Sequence, residues 1–266
     1  MKKITVIGGD RRLKFVKEKL TLAGYNVDTL GLYENDNGDI STSQILLLPV
    51  PTTKDGINVF TPLTNRKIPL AEIAHSTTNE QLILCCNYLF ENKKCVDYGA
   101  LDSYALLNSV PTAEGAIKLA IENTDYTIWK SRILIIGYGR VGKNLANRLK
   151  ALGAYVTVSA RKPRDEAMLD TLGFSYINTG ELNRIPLDFD IVFNTVDVKV
   201  IDDSTLAKLG CDLMIDLSTL GGFSLEVAKS RGIKAIKAPG LPAVIAPKTA
   251  AEILNTTVTH IINSHN

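Results

Sequence analysis

Short apolar runs alternate with longer stretches whose apolar positions recur every three or four residues, and the alternation holds along almost the whole chain. Short runs of this kind suit strands buried on both faces, and the amphipathic stretches suit covering helices. Strands are predicted at 3–7, 27–30, 45–48, 82–86 and 95–97. A helix over 11–22 places Leu13, Val16 and Leu20 on one face. A second helix is predicted to open at Pro111, where a missing amide costs nothing, and to run to about 123.

A new series follows, with strands at 132–136, 155–158, 174–177, 191–194, 213–216 and 235–238. The helix over 140–152 meets Gly153, a left-handed stop, and another helix ends near 172. After Pro247 a last helix carries Ala250, Ile253, Leu254, Val258 and Ile261 at helical spacing. The pattern predicts an α/β protein of two Rossmann-like, doubly wound units with a cleft between them. The first unit is expected at 1–127 together with the last helix, 246–266, packing back on it. The second is expected at 128–245.

Composition narrows the function. The chain has 266 residues, 45% hydrophobic and 22% charged, with a net charge of +2. That is a globular profile without the basic excess of a nucleic-acid binder. The apolar runs are too short to span a membrane, and Met1-Lys2-Lys3-Ile4 leads straight into a strand rather than a signal core, so a cytoplasmic protein is expected. Cys85, Cys86, Cys95 and Cys211 form no C-x-x-C pair and no histidine sits at zinc-ligand spacing, so reduced thiols and no metal are expected.

The strongest chemical motif is Gly137-Tyr138-Gly139-Arg140-Val141-Gly142, between an apolar strand and a helix. This is the dinucleotide fingerprint: a tight turn, a close approach for pyrophosphate, and close packing of helix on strand. At the end of the next strand an NAD site usually carries an acid for the ribose hydroxyls. Ser159, Ala160, Arg161 and Lys162 stand there instead. A missing carboxylate and two cations favour NADP over NAD. Asn194, Thr195, Asp216, Ser218 and Pro239, in later strand-end segments, complete the expected cofactor site. Gly8-Gly9-Asp10 lacks the fingerprint spacing, and Asp10 is expected to cap the first helix.

Strand-end loops carry the remaining candidates. Arg12 can clamp a carboxylate, with Thr53, Ser109, Thr112 and Lys248 as further substrate contacts. Ser109 or Thr112 can equally cap the helix at Pro111, with Glu114 in its first turn. Arg12, Glu114 and Lys248 are the catalytic candidates.

The segments Asn108-Ser109-Val110-Pro111-Thr112-Ala113-Glu114-Gly115, the fingerprint, and Ala238-Pro239-Gly240-Leu241-Pro242 through Ala246-Pro247-Lys248-Thr249-Ala250 together resemble the A subunits of bacterial dipicolinate synthases. The likeness extends to Gly8-Gly9-Asp10 with Arg12, while 87–107 is shortened and Ser218-Thr219-Leu220-Gly221-Gly222 lacks a basic, proline-containing turn. The resemblance implies NADP-dependent oxidation of dihydrodipicolinate to dipicolinate in the mother cell of a sporulating bacterium. It also implies a second chain as partner, the B subunit of dipicolinate synthase; a homo-oligomer is compatible with it. Two alternatives stand beside it: a 2-hydroxyacid dehydrogenase-like oxidoreductase, and a nucleotide-binding regulatory subunit. The first usually needs a histidine, and none of His75, His260 and His265 falls in a strand-end loop of the second series.

Overall fold

The computed structural model describes residues 2–265. The chain forms two compact units, Met1–Asn108 with Pro242–Asn266 and Ser109–Leu241. The helical run through 102–123 therefore contributes to both.

In unit 1 the chain runs β1 (Lys3–Ile7), α1 (Arg11–Leu22), β2 (Asn26–Leu30), β3 (Ile45–Leu47), α2 (Leu70–Ser76), β4 (Leu82–Cys85) and β5 (Cys95–Asp97), then enters α3 (Asp102–Asn123). The strands are parallel in the order β2-β1-β3-β4-β5. β3 and β4 are buried throughout and β1 nearly so, whereas the edge strands β2 and β5 are only partly covered. That gradient explains why the central strands read as unbroken apolar runs.

Unit 2 continues with β6 (Arg132–Ile136), α4 (Arg140–Ala151), β7 (Tyr155–Ala160), α5 (Pro163–Thr171), β8 (Ser175–Asn178), β9 (Leu187–Asp188), β10 (Ile191–Asn194), α6 (Asp203–Leu206), β11 (Leu209–Gly210), β12 (Leu213–Asp216), α7 (Leu225–Ser230) and β13 (Lys234–Lys237). Its six-stranded parallel sheet has the order β13-β12-β10-β6-β7-β8, and β9 pairs separately with β11. Strand order reverses between β6 and β10, the doubly wound arrangement expected from the alternation of strands and helices.

The chain returns to unit 1 through α8 (Leu241–Ile245) and α9 (Pro247–Ser264). Leu254, Val258, Ile261 and Ile262 of α9 share one buried cluster with Val16 and Leu20 of α1. The last helix therefore packs on the first unit, as its apolar stripe predicts.

One helix departs from expectation. α3 begins at Asp102, so Pro111 lies in its interior rather than in its first turn. An interior proline removes one ladder bond and crowds the carbonyl four residues back. The helix persists because Ala113, Ala116 and Ala120 are fully buried beyond it, and packing on that face outweighs the local defect. Pattern reading also passed over α2, α6, α7 and α8, which are short. Among the described residues no helix is long and apolar enough to cross a membrane, and the four cysteines are free.

Candidate functional site: a dinucleotide turn and a buried arginine

Each fingerprint glycine of unit 2 has its own steric reason. Gly137 adopts φ +99°, and a Cβ there would lie 2.5 Å from Val196 Cγ1 and 2.7 Å from Thr195 Oγ1. At Gly142 a Cβ would clash with the Gly137 carbonyl. These two glycines close the turn and seat α4 on β6. Gly139 differs, because a Cβ there would meet nothing within 4 Å, and its φ of −82° suits any residue. Among the described residues nothing requires glycine at this position, and the space beside it lies at the start of α4. There the first-turn amides lack intrahelical partners and the helix dipole is positive. The turn therefore fits a pyrophosphate. Tyr138 is mostly buried, with the Lys143 ammonium 4.9 Å from its ring centre, while Arg140 and Val141 open the helix.

Behind the turn is a polar frame. Thr195 Oγ1 donates to the Ile136 carbonyl at 2.8 Å, tying β10 to the end of β6. Asp216, at the tip of β12 and 1% exposed, accepts from Asn194 Nδ2 (2.8 Å), Ser218 Oγ (2.6 Å) and the Ser218 amide (3.1 Å) on one oxygen. The other oxygen accepts from the Gly222 amide (3.1 Å) and Lys237 Nζ (3.0 Å). Burial alone would favour the neutral acid, but bonds from Ser218, Asn194, Lys237 and Gly222 hold the carboxyl below its ordinary value. Asn194, Asp216 and Ser218 were expected as cofactor contacts. Their side chains are buried and committed to one another, so they shape the strand-end loops instead. Lys237 completes this frame and was missed, although its place at the end of a strand was the available signal. Pro239 is exposed, in a turn after β13. With its acceptor positions engaged, Asp216 is no proton acceptor for a substrate.

The end of β7 also differs from expectation. The strand runs on to Ala160, and Ser159 is fully buried, its hydroxyl 3.0 Å from Thr179 Oγ1 and its carbonyl accepting from the Gly137 amide. Ser159 supports the glycine turn from inside the sheet. The residues at the tip are Arg161 and Lys162, both exposed, with Lys162 preceding the first turn of α5.

Unit 1 carries a second glycine turn, after β1, and it is filled. The Gly9 amide donates to the Phe60 carbonyl at 2.8 Å, and a Cβ on Gly8 would meet Phe60 O at 2.8 Å and Val59 Cγ1 at 2.9 Å. The loop after β3 thus occupies the space a phosphate would need. Asp10 caps α1 through the Arg12 amide (3.0 Å), as expected. Arg12 is 4% exposed; its Nε and Nη2 grip the two Asp10 oxygens at 2.9 and 2.7 Å, and Nη2 also donates to the Val50 carbonyl at 2.8 Å. Burial works against its charge, but Asp10 outweighs it and raises the guanidinium above its ordinary range. The Nε–Nη2 fork is therefore taken by Asp10, so a bidentate clamp on a ligand carboxylate is not available along that edge, and among the described residues only Nη1 is left without a hydrogen bond. Lys248, in the first turn of α9, lies 5.8 Å from the Phe15 ring centre on α1. Thr53 donates to Asp55 and accepts from the Gly56 amide, which makes it a turn residue.

Residues 3–101 match the model of the N-terminal domain of the dipicolinate synthase A subunit, and residues 113–208 match the NAD-binding domain of D-isomer specific 2-hydroxyacid dehydrogenases. The A subunit of dipicolinate synthase from Bacillus subtilis is 34% identical, over 88% of this chain and 86% of that protein. This chain belongs to the family of dipicolinate synthase A subunits. The crystal structure of the family member from Bacillus halodurans superposes with a TM-score of 0.88 at 31% identity, covering 98% of this chain and 97% of that one. The B. subtilis structure gives 0.86 at 31% identity, covering 98% and 96%. The match over residues 113–208 is to an NAD-binding domain of a dehydrogenase family, and the turn at Gly139 lies inside it.

The family's Pro-Thr-Ala-Glu segment takes a form that sequence reading did not anticipate. Because α3 starts at Asp102, Ser109, Thr112 and Glu114 are mid-helix residues and not caps or loop groups. Ser109 is buried and accepts from Asn144 Nδ2 of α4 at 2.6 Å. Glu114 lies 3.4 Å from Arg148 Nε in a largely exposed ion pair, a contact of small energetic weight. These side chains join α3 to α4, and neither a catalytic role for Glu114 nor a capping role for Ser109 follows from their placement.

Proposed function

We propose that this chain is the nicotinamide-binding component of a dipicolinate synthase, oxidising dihydrodipicolinate with NADP⁺ together with a second subunit in the cytoplasm of a sporulating cell. The observation that carries the reading is the open position at Gly139, at the start of α4, in a chain of this family. Gly137, Gly139 and Gly142 would admit the pyrophosphate to the α4 amides, and Arg161 at the tip of β7 would meet the 2′-phosphate. The bound nicotinamide supplies a hydride acceptor for a ring whose aromatisation favours the reaction. In unit 1 the cations Arg12 and Lys248 are the proposed anchors for the substrate carboxylates, which makes positioning the main contribution of this unit. Unit 2 contains no histidine, so the imidazole that usually takes a hydroxyl proton is missing there and the hydroxyacid dehydrogenase alternative is weaker.

The test is NADP⁺ reduction followed by nicotinamide absorbance, using purified chain and dihydrodipicolinate with and without the partner. We expect NADP(H) binding by the chain alone, and slow or no turnover until the partner is added. Full-rate reduction by this chain alone would refute a shared site. No reduction with both partners present would favour the regulatory reading.

A further inference from the structure

We infer that Asp10 is a positioning residue for substrate binding: it holds Arg12 by its Nε–Nη2 edge and so presents Nη1 to one carboxylate of the substrate. This rests on the reading that unit 1 anchors a cyclic dicarboxylate.

Three observations lead to it. The first is geometric. Arg12 has five N–H donors, of which Nε and one on Nη2 go to Asp10 and the other on Nη2 goes to the Val50 carbonyl. Among the described residues no group accepts from Nη1. The guanidinium is thus clamped along its Nε–Nη2 edge with Nη1 left over, in a side chain 5% exposed.

The second is energetic. A buried ion pair returns little more than its desolvation costs, so stability alone is a weak reason to keep one at the end of β1. Capping α1 does not require a charge either, since Asn or Ser caps as well as Asp. What the carboxylate adds is a two-oxygen grip on the guanidinium.

The third is topological. Strand order in unit 1 reverses between β1 and β3, and ligands of doubly wound sheets sit beyond the carboxyl ends at such a reversal. Asp10 follows β1 and Val50 follows β3, so Arg12 bridges the two strand ends. The usual occupant of that place, a phosphate in the glycine turn, is excluded by Phe60 and Val59. A smaller anion at the guanidinium edge remains compatible.

The experiment is steady-state oxidation of dihydrodipicolinate by the chain with its partner, with NADPH affinity measured in parallel. Asp10→Asn keeps the cap and the size but replaces one acceptor oxygen with a donor, so the grip on Arg12 is lost. We expect KM for the substrate to rise by about tenfold or more, with kcat and NADPH affinity little changed. Asp10→Ser also retains the cap and should do the same, which guards against a folding failure of either variant. On an Arg12→Ala background, Asp10→Asn should raise KM no further, because Asp10 acts through Arg12. An unchanged KM in either single variant overturns the inference, as does a full additional rise on the Arg12→Ala background. A parallel loss of NADPH affinity overturns it too, marking a structural role. If the wild-type pair turns over no substrate, the functional reading itself fails, an outcome distinct from the others.

Discussion

The two units each follow their first strand with glycines and a helix, yet the two turns have opposite fates. In unit 1 the space over Gly8 and Gly9 is filled by the loop at Val59 and Phe60, and a carboxylate, Asp10, caps the helix. In unit 2 the space at Gly139 is open and the helix begins without a side-chain cap. A capping carboxylate satisfies first-turn amides and repels phosphate, while an uncapped turn leaves amides for an anion. The same local chain path thus gives a closed structural joint in one unit and a ligand cradle in the other. The difference lies in one side chain and one distant loop.

The sharpest way to break this comparison is to fill the open turn. Gly139→Val should weaken NADP(H) binding by more than about 3 kcal/mol, since phosphate–amide bonds are lost, while the melting temperature stays near wild type. Calorimetric titration and a thermal melt check both halves, and normal cofactor affinity would place the phosphates elsewhere.

The frame behind the open turn is the next target. Asp216→Ala leaves five donors facing an empty site, Lys237 among them, and should destabilise the protein by roughly 3 kcal/mol in urea unfolding. The same carboxylate gives a pH signature. Its folded pKa lies below the unfolded value of about 3.9, so its contribution is present above that pH and is lost as pH falls through the folded pKa. Wild type should therefore lose more stability than Asp216→Ala on acidification below about pH 4.

Arg161→Ala tests the selectivity of the cradle. It should cost NADP(H) about 1.5–3 kcal/mol of affinity and leave NAD(H) nearly unchanged, measured by competitive titration. Equal affinity of the intact chain for both cofactors would remove Arg161 from the site.

The smallest effect belongs to the closed turn. Gly8 has φ +60° with backbone pressed against it, so Gly8→Ala should cost about 1–3 kcal/mol of stability. Cofactor affinity should not change. The pair Gly8→Ala and Gly139→Val then separates stability from binding in opposite directions.

Much of this was present in the chain itself. Central strands such as β4, β10 and β12 are apolar at nearly every position because both their faces are buried, so they could be located to within a residue. The fingerprint glycines were legible because their constraints are local: a positive φ at Gly137 and a contact five residues away at Gly142. Asp10 was legible as a cap because a cap spans two residues.

What tertiary structure decided involves partners far along the sequence. Nothing near Pro111 announces that the helix begins nine residues earlier, because burial of Ala113, Ala116 and Ala120 sustains it. Ser159 is expected at the cofactor from its place in the sequence, but its hydroxyl lies 3.0 Å from that of Thr179, twenty residues on. Asn194, Asp216, Ser218 and Lys237 come from three strand ends and meet only when β10, β12 and β13 lie side by side. The loop at Val59 and Phe60 likewise reaches Gly8 only because β3 is laid beside β1. Periodicity and turn chemistry act over a few residues and are written in the local sequence. Whether a polar side chain faces a ligand or a neighbouring strand depends on which strands are adjacent, and folding alone sets that.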